Sequence, residues 1–229
     1  MTLLNTANAI RPGSALASKA YLAGIQVWPP VGFVVGFDPV TVANVTLSDG
    51  NLVVTNIGTT SADQGAHVAS ISGKSSGKYY FETTITSFLA GANVAVGVGT
   101  PASTYTNMGN TATSGTTVRI GTGAILYNGG SSGSSIGARI TGNVIGIAVD
   151  LDNTFGLYFR VAPSGLWNGS GTANPATNAG GINKPAGILV PFNVFGGIGG
   201  VANNVLTTNF GATAFVGAVP SGFTAGWLL

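Results

Sequence analysis

The chain contains no cysteine, one histidine and one glutamate in 229 residues. Disulfides, thiol catalysis and cysteine-ligated zinc are thereby excluded. Charge is nearly as scarce: eight basic and six acidic side chains make up 6% of the chain, with a formal net charge of +2. There is no cluster of Lys and Arg, so the electrostatic footprint that a nucleic-acid partner demands is missing. A glycoside-cleaving site, which needs two carboxylates facing across a cleft, has few acids to draw on. The most apolar short run, residues 31–37, is far too short to cross a bilayer, and no membrane insertion is expected. No basic stretch leads into an apolar one at the N-terminus, so no signal peptide is expected. Helix formers are few as well. Leu, Glu, Lys, Arg, Gln and Met number 28, against 63 Val, Ile and Thr.

That excess of stiff β-branched side chains predicts an all-β protein. The 37 glycines follow no three-residue period, which excludes a collagen-like chain. A mean hydropathy of +0.42 with so little charge is unusual for a free protein that stays soluble through surface charge. It suits a protein that lives in an assembly.

Strand-like runs recur after Pro29-Pro30, at 40–47, 52–57, 67–71, 79–86, 94–99, 117–120, 124–127, 144–149, 155–161, 188–194 and 205–210. Turn signals separate them. The clearest is Asp49-Gly50, where both positions tolerate positive φ. Many short strands at this spacing predict an antiparallel β-sandwich. Two long loops interrupt it, residues 100–115 and 162–185. Before Pro29, residues 20–22 and 26–28 read as a small hairpin. The expected division is a hairpin segment over 1–30 and a sandwich over 31–229.

The residues that could carry chemistry are quickly weighed. Asp150, Asp152 and Asn153 sit in a strand turn and could hold Ca²⁺, but a third carboxylate is missing and turn chemistry is the expectation. Asp63, His67 and the serines Ser61, Ser70 and Ser72 supply the residue types of a catalytic triad, but none of these three serines stands in a Gly-x-Ser-x-Gly elbow, so a structural or exposed histidine is expected. Gly73-Lys74-Ser75 lacks the upstream glycine and following helix of a phosphate loop. No catalytic residue, metal site or cofactor is expected. The binding candidates are Tyr105 and Met108 in the first long loop and Trp167 with Asn168 in the second, since flat aromatic faces beside amides suit sugars and protein surfaces. Trp167 is expected to fold back on the sandwich. Tyr21, Leu22, Ile25, Val27 and Trp28 are the candidate attachment residues, because an isolated hairpin this apolar needs another surface to cover it; that surface is expected on another molecule, the alternative being that Trp28 packs against the sandwich edge.

Five stretches, in order, resemble the SPRY family: Ser76-Gly77-Lys78-Tyr79-Tyr80-Phe81-Glu82, Ala95-Val96-Gly97-Val98-Gly99, the Gly142-Asn143 to Val149-Asp150 strand, Leu157-Tyr158-Phe159, and Asn209-Phe210-Gly211. The resemblance covers about residues 65–215 and implies a concanavalin-like jelly roll. Position 143 is Asn where the family usually has Asp, and residues 160–170 replace its usual Asn-Gly turn. The Trp167-Asn168-Gly169 loop resembles SPRY-like proteins of tailed bacteriophages and prophages. Lys19-Ala20-Tyr21-Leu22 followed by Val27-Trp28-Pro29 resembles a leader found on phage virion proteins. These likenesses imply a non-enzymatic structural protein, made in a bacterial host cytoplasm and displayed on a virion as capsid decoration, fibre or tail component. Its partners would be other virion proteins and further copies of itself, the hairpin being covered by another subunit or by a capsid or tail protein. The alternative they leave open is a module that binds a host-surface glycan or protein through the two long loops.

Overall fold

The computed structural model describes residues 20–22, 25–28, 35–58, 63–89, 94–106, 115–127, 130–195 and 201–228. Strands β1 (Ala20–Leu22) and β2 (Ile25–Trp28) pair antiparallel as a two-stranded sheet of their own. Next come β3 (Val45–Ser48), β4 (Val53–Asn56), β5 (Gly65–His67), β6 (Lys78–Ser87), β7 (Ala95–Gly99) and β8 (Gly115–Arg119). The series ends with β9 (Ala124–Tyr127), β10 (Gly130–Ser135), β11 (Val144–Asp150), β12 (Leu157–Val161), β13 (Val190–Val194), β14 (Val205–Asn209) and β15 (Thr224–Ala225). One layer of the sandwich runs β10-β9-β8-β7-β13-β5, the other β12-β11-β6-β14-β4-β3. All pairings in both are antiparallel except the last: β15 lies parallel to β6 at Tyr79 and Tyr80, on the side that β14 leaves free beyond Glu82.

Several expected strands are shorter than their apolar runs, for local reasons. β3 begins only at Val45, because Asn44 takes a positive φ of 49° and the residues before it turn over the Asp38 carboxylate. The 67–71 run ends at His67, and Ser70–Ser72 form a 3₁₀ turn. Asp49 and Gly50 both have positive φ, 49° and 63°, as the β3–β4 hairpin requires. β10 was not expected: its Gly-Ser sequence has no β-branched residue, and register with β9 carries it across a bulge. Ser131, Ser132 and Ser135 accept hydrogen bonds from the N–H groups two residues on, at Gly133, Ser134 and Gly137. These serines occupy backbone donors along an edge strand, which blunts it against pairing with another chain.

The inter-sheet core is aromatic at its centre. Phe37 and Phe81 both pack on Phe210, with ring centroids 5.4 and 5.7 Å apart. A polar bridge crosses the layers inside it: Asn193 donates to the Thr208 hydroxyl at 3.1 Å, and Thr208 meets Thr83 at 3.0 Å. All three side chains are buried. The C-terminal segment closes the core. Trp227 is fully buried, stacks near Tyr79 and Phe81, and donates its indole N–H to the Ser72 carbonyl at 3.0 Å. The sandwich therefore reaches well past residue 215. Replacing Trp227 with Ala should cost about 3–5 kcal/mol, read as a lower urea midpoint, because it empties a large buried volume and orphans the Ser72 carbonyl.

Candidate functional site

Strand β6 is covered on both faces, and its outer face organises the second long loop and the C-terminal segment. Phe81 points into the inter-sheet core, so Tyr80 and Glu82 point out. Register places Ala148 and then Tyr158 beside Tyr80, and Gly146 and then Arg160 beside Glu82. Gly146 is required here: a Cβ would lie 2.6 Å from the Tyr80 hydroxyl. That hydroxyl instead reaches the Glu82 carboxylate at 2.6 Å. The same carboxylate accepts the backbone N–H groups of Val216 and Gly217, at 2.8 and 2.7 Å. Glu82 is buried, so a lone glutamate pins the C-terminal segment over the sheet. Phe215 then meets Tyr80 edge-on at 5.1 Å. Arg160 donates to the Ala218 carbonyl at 2.7 Å and lies 4.4 Å above the Trp167 ring.

The loop after β12 is clamped down by its own residues. Trp167 folds back, as expected, edge-on to Tyr80 and Tyr158 at 6.4 and 6.3 Å. Asn168 is a correction to the binding reading. It is buried at φ 51°, accepts from Phe159 N–H, and donates to the carbonyls of Leu157 and Gly180. Every polar atom of its amide serves the fold. Gly169 passes so close to β10 that a Cβ would sit 2.0 Å from the Ser135 carbonyl oxygen. The loop thus joins the β12 edge of one layer to the β10 edge of the other.

Tyr105 is the second correction. It is buried, not displayed, and its hydroxyl donates to the Thr41 carbonyl. Its ring packs on Phe192 at 5.7 Å and near His67 at 6.0 Å. Asn193 faces the opposite sheet, so Phe192, next along β13, faces outward, and Tyr105 covers it. Met108 lies outside the described residues. His67 is structural: it is buried, 4.8 Å from the Phe192 ring, with Nδ1 2.7 Å from the Val68 carbonyl. Asp63 accepts from the Thr106 N–H and so holds the start of the Tyr105 loop.

Asp150 and Asp152 shape a turn. Buried Asp150 pairs with Lys78 at 2.9 Å and accepts from the Asp152 N–H and the Asn153 amide. Asp152 accepts from Gly77 N–H at 2.8 Å. β1 and β2 form the expected hairpin, and of their side chains nothing further is described. One feature no motif announced is a cavity of about 330 Å³ on the β10 flank, lined in part by Arg139 and Leu166.

Burial pushes three phenols up. Tyr105 and Tyr158 rise to about 12, and Tyr80, beside the Glu82 carboxylate as well, rises further. Each phenol is neutral when folded and ionises more readily when unfolded. Their contribution to stability is complete below about pH 10, the value of a free phenol, and is lost as pH rises from there through about 12. Urea midpoints measured from pH 9 upward should fall in that window, and Tyr105→Phe and Tyr158→Phe should each flatten the fall. Native-state phenolate absorbance appearing already near pH 10 for these two tyrosines would contradict this.

No protein-family model and no curated protein matches the chain. Solved structures do. The chain is similar to the SPRY domain of human HERC1, with a TM-score of 0.58 and 16% identity over 76% of this chain and 96% of that one. It is similar to the PSpry domain of TRIM65, with a TM-score of 0.52 and 17% identity over 77% of this chain and 92% of that one. At such identities the likeness is one of fold alone: the chain folds as a SPRY-like antiparallel β-sandwich.

Proposed function

We propose that the chain is a non-enzymatic structural protein of a tailed phage or phage-like particle, displayed on the virion through protein–protein contacts. It would sit there as capsid decoration, fibre or tail component, in several copies. The observation that carries the reading is the N-terminal hairpin. Its ladder joins neither large sheet, although both offer edges. A lone two-stranded ladder is marginal in water, so this one calls for a surface on another molecule. The virion-type leader resemblance at Lys19 to Pro29 supports the same setting.

Two further observations favour contact over chemistry. Glu82, Asp63, His67 and Asp150 are engaged in holding segments of the fold. Large apolar side chains such as Ile71, Ile188 and Val40 stand exposed on a surface with little charge. Host-surface binding through Tyr105, Trp167 and Asn168 is the weaker reading, because all three are turned toward the sandwich.

Mass spectrometry of gradient-purified particles tests the setting directly: the protein should be present at a fixed copy ratio to the major capsid or tail protein. Deleting residues 1–30 tests the mode. The remaining protein should keep its melting temperature but no longer join particles. Absence from purified particles, or unfolding of the truncated chain, would overturn the reading.

A further inference from the structure

The flank cavity has a chemistry that none of the structural roles above uses. Its aliphatic wall is Ile136, Val161 and Leu166, and Leu166 stands 59% exposed. Ser135 and Gly169 close its polar side, where the clamped loop meets β10. Arg139 supplies the only charge in the lining. Its Nε donates to the Gly137 carbonyl at 2.8 Å, and its guanidinium lies over Gly137, where a Cβ would come within 2.6 Å of Nη2. That glycine, at φ 76°, lets the guanidinium settle on the backbone in a fixed orientation. The other guanidinium N–H groups make no hydrogen bond, and Arg139 no ion pair, among the described residues.

A held guanidinium with free donors matches a carboxylate, which it can grip through two parallel hydrogen bonds. The aliphatic wall beside it matches an aliphatic side chain. A volume of about 330 Å³ takes one or two side chains and lies at the small end of ligand cavities. No aromatic ring lines the cavity, so a sugar ring would find no flat face to stack on. A chain of net charge +2 with this cation unpaired favours an anionic partner.

We infer that the flank cavity is a docking pocket for an acidic protein segment, in which a Glu or Asp carboxylate grips Arg139 and a neighbouring aliphatic side chain lies on Ile136, Val161 and Leu166. This deepens the contact reading without resting on the particle setting. It is tested on the isolated full chain, so peptide binding and particle association fail or hold separately.

The probes are the peptide acetyl-Leu-Glu-Leu-amide, its Gln counterpart, and free galacturonate, each titrated into isotopically labelled protein by NMR. The Glu peptide should shift the amides of residues 135–139 and 165–169 and the Arg139 side chain. The Gln peptide should bind about tenfold more weakly, the loss of one charge-assisted contact. Arg139→Gln should remove the preference for Glu, and Leu166→Ser should weaken both peptides. Leu166 is a surface side chain, so that variant carries the test even if Arg139→Gln lowers the melting temperature. Equal binding of the two peptides, unchanged binding by Leu166→Ser, no shift at millimolar peptide, or galacturonate occupying the pocket where the peptides do not would each overturn the inference.

Discussion

A single buried carboxylate decides how the outer face of this sandwich is covered. Glu82 sits on the central strand of its sheet, away from water, and must have donors. It finds them in Tyr80 and in two consecutive backbone amides of the C-terminal segment. Once Val216 and Gly217 are held there, Phe215 falls on Tyr80, and the Ala218 carbonyl meets Arg160. Arg160 in turn lies on Trp167, which sets the first part of the long loop. The parallel strand β15 and the buried Trp227 follow a few residues on. A sheet face that would otherwise be open to solvent becomes a second small core.

Poverty of charge is met elsewhere with neutral amides. Asn168 joins two backbone groups of β12 to the Gly180 carbonyl. Asn56 accepts from the Asn204 backbone and donates to Gln64, tying β4 to the approach to β14. Asn209 accepts from Gly211 and donates to the Thr213 carbonyl, closing the turn after β14. Each amide offers both donors and acceptors and avoids the desolvation cost of a buried ion. Such a chain satisfies buried backbone groups while leaving its surface nearly uncharged.

Much of the architecture was legible because it rests on short-range chemistry. The run at 79–86 announced strand β6, and Asp49-Gly50 announced the β3–β4 hairpin. Strand β11 was readable from its apolar run at 144–149. β10 was not, since a Gly-Ser strand has no propensity to signal it and exists through pairing with β9 and its own serine hydroxyls. Tyr105 and Asn168 looked like display residues because a loop sequence does not say which way a side chain turns. Their inward turn depends on backbone partners that local sequence does not announce, Thr41 for one, and Leu157 with Gly180 for the other. The Arg139 cavity was silent for the same reason: it forms between two edges that the loop brings together.

The claim that Glu82 holds the outer cover is open to a direct measurement. Amide hydrogen exchange at Val216 and Gly217 should be slow in the native protein, comparable with amides in the β6–β11 ladder, although the two residues lie in no strand. In Glu82→Gln the side chain keeps one acceptor and gains a donor where acceptors are needed. The account predicts that both amides then exchange quickly, together with those of Ala218 and Trp167, while the β7–β8 ladder stays protected. Unchanged protection at Val216 and Gly217 in that variant would contradict it.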